Sequence, residues 1–212
     1  MIIGHQKQWQ FLRKSVELGK TSHAYLFSGQ EKLGKKTLAF EFVKLLNCQN
    51  PDFSAKPCQK CQSCQEIQKS LFLSIEQHPD LIIIEPKKFI SRKSSLRKEE
   101  IQISQIRDLT WKLSLKPFSA PFKTAIIDRA HSMNQEAQSC FLKTLEEPKG
   151  NTILILITEY PETLLPTILS RVQKIKFYPI KTIEIENYLK GKKISDKKTK
   201  EIAKFSQGKP GK

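Results

Sequence analysis

AYLFSGQEKLGKKTLAFEFVKLL, residues 24–46, is the stretch whose reading decides the fold. A short apolar run over residues 24–27 reaches Gly29, and a polar loop follows to Gly34. Lys35, Lys36 and Thr37 then open a segment with Leu38, Phe42, Val43 and Leu46 at helical spacing. Strand, loop and helix therefore follow one another. The loop reads G-x-x-x-x-G-K from Gly29 through Gly34 to Lys35, so backbone N–H groups and a helix N-terminus face any phosphate lying there. Glycine supplies backbone angles and close approaches that a side chain forbids. Taken alone, a glycine turn between strand and helix gives the same short pattern.

The residue after the loop lysine is normally Ser or Thr, whose hydroxyl ligates Mg²⁺. Here it is Lys36, with Thr37 one place later. A second cation in that place repels the metal. The loop is thus expected to accept nucleotide while being poorly equipped to hydrolyse it.

Working outward, residues 123–128 (KTAIID) form an apolar strand ending in Asp128, the usual second half of a phosphate-loop site, where the carboxylate helps to hold Mg²⁺. The acidic residue that commonly follows and polarises the attacking water is replaced by Arg129, and a guanidinium cannot act as a base. Without the loop, Asp128 is equally well read as a turn cap. Residues 151–158 (NTILILIT) are the most hydrophobic strand, as suits a central parallel one. Thr158 at its end is placed to bond a γ-phosphate or its water, although a strand-end threonine is more often structural.

Further strands are read at 81–84 and 172–178. Helices are read at 5–18, 65–73, from 103 with Ser104 as cap, from Asn134 to 147, and in a short turn from 161 leading to Ser170 and Arg171. This alternation predicts an α/β fold, a parallel sheet covered on both faces with ligands at the strand C-termini. Residues 1–178 form the core domain. Two small basic helices at 183–189 and 197–205 begin a helical lid over 179–212.

Cys48, Cys58, Cys61 and Cys64 are spaced C-x9-C-x2-C-x2-C. Three thiolates fall close together and the fourth returns from the end of the preceding helix, which allows tetrahedral S₄ coordination of a structural Zn²⁺ with no open position. Disulfides, or a redox pair, are the alternatives. Cys140 stands alone in an apolar helical pattern and reads as a packing residue.

With 38% hydrophobic and 27% charged residues, 212 residues suit one large domain with a small appendage. No apolar run is long enough to span a bilayer, and the first residues do not resemble a signal peptide, so a cytoplasmic protein without membrane contact is expected. The net charge of +16 is unevenly spread: residues 87–98 hold six basic and no acidic residues, and 190–212 hold nine lysines against Asp196 and Glu201. Localised excess of this kind suits a polyanion, whereas charge runs are also commonly solvated faces or mobile loops; 87–98 is read as such a loop.

Taken together, HAYLFSGQEKLGKKTLA, the four-cysteine insert, KTAIIDRAH, CFLKTLEEP, NTILILIT and LPTILSR resemble the bacterial clamp-loader subunits of the AAA+ ATPase family over residues 5–212. The order of insert, LKTLEEP and LSR makes the resemblance specific. Within the family, the departures at Lys36 and Arg129 are similar to the delta-prime type of DNA polymerase III subunit rather than the ATP-hydrolysing gamma/tau type. The resemblance implies a place at the end of a five-membered ring with gamma/tau and delta subunits, which opens the sliding clamp and sets it on primed DNA. ATP is hydrolysed by the neighbours, and the chain's own ATPase is weak or absent, so it is enzymatic only as a component of the DNA-directed DNA polymerase holoenzyme.

The family's Ser-Arg-Cys motif falls on Ser170, Arg171 and Val172, which makes Arg171 the implied arginine finger acting in trans on ATP of a neighbour. Without the motif, Arg171 reads as a surface salt bridge. The collar domain of the family is missing, so the chain is expected to be a fragment or a truncated product. Gly211 falls where the motor subunits carry a second sensing arginine, and that role is not carried over. Two other readings stay open: a gamma/tau-type ATPase in which Thr37 takes the metal, and a zinc-dependent nucleic-acid-binding module that uses the basic stretches.

Overall fold

Every residue of β1 (Ala24–Ser28) is buried, because this strand has a neighbour on each side and helices on both faces. A computed structural model describes residues 3–73, 76–90, 97–191 and 196–211. Along the chain the remaining elements are α1 (Gln6–Glu17), α2 (Lys35–Asn47), α3 (Gln62–Leu73), β2 (Leu81–Ile84), β3 (Lys87–Ile90), β4 (Arg97–Glu100), α4 (Ile103–Ser114), β5 (Lys123–Ile127), α5 (Gln135–Glu146), β6 (Thr152–Thr158), α6 (Pro166–Leu169), β7 (Gln173–Lys176), α7 (Thr182–Lys190) and α8 (Asp196–Ser206). Five strands make one parallel sheet in the order β2-β5-β6-β1-β7. The interior strands β5, β6 and β1 are buried throughout and read as continuous apolar runs, as a two-sided parallel sheet requires. The edge strand β7 buries only Ile175 and faces solvent with Gln173, Lys174 and Lys176, which discourages edge pairing.

The period-2 alternation sorts the apolar side chains into two cores. Leu26, Ile84, Ile127 and Leu156 pack with Ile106, Leu109 and Phe141 of α4 and α5. Tyr25, Phe27, Ile126 and Ile155 pack on the other face with Leu12, Phe42 and Ile67 of α1, α2 and α3. Register levels the strand ends: Ser28 pairs with Thr158, and Ile84 pairs with Ile127. Gly29, Thr158, Asp128 and Glu85 thus emerge along one edge of the sheet.

Local expectations were revised in three places. Helix α4 is capped by Gln102, not Ser104, with the Gln102 N–H donating to Gln105 Oε1 at 3.2 Å. The reason is that Ile101 is held extended, its N–H bonded to Ser132 O and its carbonyl accepting from Asn134 N. The basic segment 87–98 is not simply a loop. Its ends belong to an antiparallel hairpin of β3 and β4, in which Lys88 faces Glu99 at 3.5 Å, while residues 91–96 lie outside the described residues. Helix α3 begins at Gln62, so Cys64 sits in its first turn instead of before it.

Beyond β7, helices α7 and α8 pack on each other. The chain after α8 then returns to the core: the Ile180 N–H donates to Gly208 O at 2.9 Å, and the Gly211 N–H donates to Lys32 O at 2.9 Å. Among the described residues, no helix is long and apolar enough to cross a membrane.

Candidate functional site

At the edge where the strands end, a cavity of about 410 Å³ is lined by the glycine loop, Asp128, Arg129, His131, Thr158 and Glu159. The loop is shaped by Gly29 at φ 145°, Lys32 at φ 62° and Gly34 at φ 88°. A Cβ on Gly29 would lie 2.5 Å from the Phe177 carbonyl, so the close passage of loop and β7 admits only glycine. A Cβ on Gly34 would meet nothing within 4 Å, and there the positive φ alone selects glycine at the head of α2. The Gly29 N–H is tied to Thr158 O, which joins the loop to the end of β6.

Two adjacent lysines divide the site between them. Lys35 folds back on its own loop, Nζ donating to Gly29 O at 2.5 Å and Gln30 O at 2.6 Å. Burial pushes its pKa down, against the pull of Glu159, Asp128 and Glu31. Lys36 turns the other way and places its ammonium between two strand-end carboxylates, 2.5 Å from Glu85 Oε1 and 3.2 Å from Asp128 Oδ2. Burial opposes its charge, yet the hydrogen bond to Glu85 and the Asp128 carboxylate outweigh burial, and its pKa is raised. The ammonium therefore fills the space between the two strand-end carboxylates. Thr37, the next residue on α2, also lines the cavity.

Arg129 adopts the left-handed region at φ 51° and turns its guanidinium away to Glu99 of the hairpin at 2.6 Å. Thr158 Oγ1 lies 3.2 Å from His131 Nδ1 and accepts from the Tyr160 N–H at 3.1 Å, so its hydroxyl is already engaged within the fold. Burial and the charges of Arg129 and Lys35 lower the pKa of His131. Burial and the neighbouring Glu31 raise the pKa of Glu159. Sequence reasoning singled out the loop, both lysines, Thr37, Asp128 and Thr158; the structure brings Gly34, Lys35, Lys36, Thr37, Asp128 and Thr158 to this cavity, with Gly29 at the loop's start outside its lining. It missed Glu85, although a carboxylate directly after an apolar strand was the same signal that singled out Asp128. It also missed His131, which no local pattern marks.

Arg171 is elsewhere. It precedes β7, whose Gln173 pairs with Tyr25 near the start of β1, and β7 reaches the level of the glycine loop only at Lys176, which pairs with Ser28. Five residues of chain, roughly 16 Å, separate it from that level. On this far edge Arg171 Nη2 meets Glu146 Oε1 at 2.9 Å and Nη1 donates to Thr167 O at 2.9 Å. Within the chain itself, the plainer reading of Arg171 as a surface ion pair is what the geometry contains.

The four cysteines converge beside α2 and α3. Their sulfurs all lie within 4.8 Å of one another, with Cys48 and Cys64 buried and Cys58 and Cys61 partly covered. A tetrahedral Zn–S₄ site with bonds of about 2.3 Å has edges near 3.8 Å, so small adjustments would close the cluster on an ion. Three backbone N–H groups already point at sulfur: Cys58 N to Cys48, Cys61 N to Cys58 and Cys64 N to Cys61, at 3.3–3.5 Å. The N–H groups of Lys60 and Cys61 lower the Cys58 thiol to about 6, favouring the thiolate that a metal needs, whereas burial raises that of Cys64.

The insert is fastened to α2 by a buried network. Lys44, fully buried, donates to Glu41 Oε1 at 2.7 Å, to Gln59 Oε1 at 3.0 Å and to Gln68. Gln59, between Cys58 and Cys61, donates back to Glu41 Oε2 at 2.9 Å.

Residues 4–181 match the family model described as "DNA polymerase III, delta subunit". The chain belongs to that family. This clamp-loader family includes the DNA polymerase III subunit delta' of Bacillus subtilis, 33% identical over 180 residues, 85% of this chain and 49% of that protein. Also similar is the DNA polymerase III subunit gamma of Buchnera aphidicola (Schizaphis graminum), 30% identical over 213 residues, 98% of this chain and 54% of that protein. The chain thus spans about half the length of these curated clamp-loader relatives. Among solved structures, a DNA polymerase III gamma subunit-related protein of Thermotoga maritima superposes with a TM-score of 0.60 at 24% identity, covering 87% of this chain and 49% of that one. The shared fold is that of AAA+ P-loop proteins.

Proposed function

We propose that this clamp-loader family member is a delta-prime-type subunit that holds no working ATPase centre of its own and completes the centre of a neighbour. The observation that carries this reading is the Lys36 ammonium seated on both Glu85 and Asp128, the carboxylates best placed to approach a divalent ion through water. With Arg129 in place of an acidic residue and engaged by Glu99, the position directly after Asp128 offers no base to draw a proton from water. The gamma/tau-type alternative needs Thr37 to hold Mg²⁺, which would set the ion beside a fixed positive charge.

In this role Arg171 is the catalytic contribution, offered to ATP on an adjacent subunit from the face opposite the chain's own pocket. Its partners are gamma/tau and delta subunits, and through them the sliding clamp and primed DNA. Residues 1–178 act as the core domain and 179–212 as the beginning of the lid. The cysteine cluster holds one structural Zn²⁺, and the site of action is the cytoplasm during DNA replication.

Mg-ATP turnover by the purified chain tests the reading. Expected is no hydrolysis above background. Hydrolysis that Lys35→Ala abolishes would overturn it and favour the gamma/tau type.

A further inference from the structure

Strand β7 is an open edge of the parallel sheet, so successive residues turn their backbone groups alternately towards β1 and outward. The Phe177 N–H, just past its end, donates to Ser28 O at 2.8 Å. Ile175 and Gln173 share that inward phase, and Lys174 and Lys176 therefore turn N–H and C=O outward. One outward group is already met: Gln8 Nε2 of α1 donates to Lys176 O at 2.9 Å, as a pairing strand would. The Lys176 N–H and both backbone groups of Lys174 have no such partner among the described residues.

A cavity of about 260 Å³ lies between this edge and α1, with Lys7, Lys174 and Lys176 in its lining and no carboxylate. Phe11, 48% exposed, adds an apolar surface on the α1 side. Ile175 belongs to the same core as Leu12 of α1, so alternation sets Lys174 and Lys176 on the opposite face of the strand. The edge thus offers a row of unpaired backbone groups with an apolar side and a cationic side. We propose that it is a docking surface for an extended acidic segment of a partner protein, which adds to the five-stranded sheet in an acidic–apolar–acidic alternation. Carboxylates of the segment meet Lys174 and Lys176, and its apolar side chains lie over Phe11. Edge lysines that turn away neutral and basic strands become attractive cross-strand partners for an acidic one. The outward Lys174 C=O needs an N–H donor, which a peptide backbone supplies and a phosphodiester backbone does not, so the chemistry favours a peptide over nucleic acid.

The test uses the full chain and a fluorescently labelled probe peptide, acetyl-Gly-Glu-Val-Glu-Val-Glu-Gly-amide. Its controls are a scrambled peptide of the same composition (Gly-Glu-Glu-Val-Val-Glu-Gly), the lysine analogue, and an analogue N-methylated along the bonding edge. Fluorescence anisotropy gives affinity, and amide chemical shifts give the place of contact. Expected are binding of the alternating peptide at concentrations below about 1 mM, shifts centred on the amides of Lys174 and Lys176, and weakening with salt. The scrambled, lysine and N-methylated peptides, and the double variant Lys174→Glu with Lys176→Glu, should each bind about tenfold more weakly or worse. Should the double variant fail to fold, the peptide comparisons decide alone.

Absence of binding overturns the proposal, as do shifts centred away from β7. Equal binding of the scrambled or N-methylated peptide would show attraction of charge without strand addition, and overturns it too. Displacement of the peptide by a single-stranded oligonucleotide of higher affinity would assign the edge to nucleic acid instead.

Discussion

Lys36 illustrates what single residues reveal before any fold is known. Its place after the loop lysine was enough to raise the expectation of an altered metal position, because that position has one chemical task in hydrolytic loops. Its pairing with Glu85 was not legible: the two stand 49 residues apart, and only the adjacency of β2 and β5 brings them together. Asp80 is a second residue whose role appears only in three dimensions. Its buried carboxylate accepts the N–H groups of Phe118 at 2.7 Å, Ser119 at 2.8 Å and Ala120 at 2.9 Å, so one side chain fixes the turn into β5.

Burial works to raise the Asp80 pKa, but the backbone N–H bonds outweigh it and the folded value is lowered. A lowered folded pKa adds stability that is fully present above the unfolded value, about 3.9, and is lost as pH falls through the folded value. Asp80→Asn should therefore cost about 2–3 kcal/mol at neutral pH, and the gap to wild type should narrow below about pH 4. Urea unfolding across that range measures it. A gap that does not change with pH would show that the charge of Asp80 is unimportant.

Elements that bury a complete apolar stripe or run were the most legible. KTAIID and NTILILIT were recognisable as interior strands because burial on both faces leaves no polar alternation. The hairpin of β3 and β4 was not, since a basic segment reads as a loop and the pairing of Lys88 with Glu99 shows only in three dimensions. The cysteine spacing marked the four residues that converge, but not that α2 holds the insert through buried charges.

That network makes α2 and the cysteine loop one unit. Removing one member of a buried pair leaves an uncompensated charge, at a cost of about 3–5 kcal/mol. Lys44→Met is expected to destabilise by about that amount, and adding Glu41→Leu should recover much of the loss; denaturant melts of both variants decide it. No recovery in the double variant would mean that Gln59 and Gln68, not the ion pair, dominate. Metal analysis should find one zinc per chain, and a chelator should lower the melting temperature, with increased hydrogen exchange centred on residues 48–64. Sub-stoichiometric zinc with unchanged melting would remove the metal from the account.

At the scale of the whole molecule, the two ends of the parallel sheet are chemically unlike, with the cavity at one and Arg171 at the other. The ion pair of Arg171 with Glu146 is exposed on both sides and is worth about 0–1 kcal/mol, so surrendering it to a phosphate costs the fold little. Arg171→Ala is accordingly expected to leave the melting temperature and zinc content of this chain unaltered. In a complex reconstituted with its partner subunits, it should lower their ATP hydrolysis on the order of 10³-fold. Undiminished hydrolysis in that complex would confine Arg171 to its local ion pair. LPTILSR suggests such a role only by resemblance, because nothing in the composition of a short helix followed by an edge strand announces a reaction on another molecule.

The hydrogen bond from the Gly211 N–H to Lys32 O stitches the far end of the described chain to the crest of the glycine loop. Gly211 also sits so close that an added Cβ would come within 3.0 Å of the same carbonyl. Lys32, held in the left-handed region at φ 62°, is the loop residue that receives this bond. The pair of helices and the glycine loop are thus joined through one backbone hydrogen bond, so the last described residues meet the loop at the rim of the cavity.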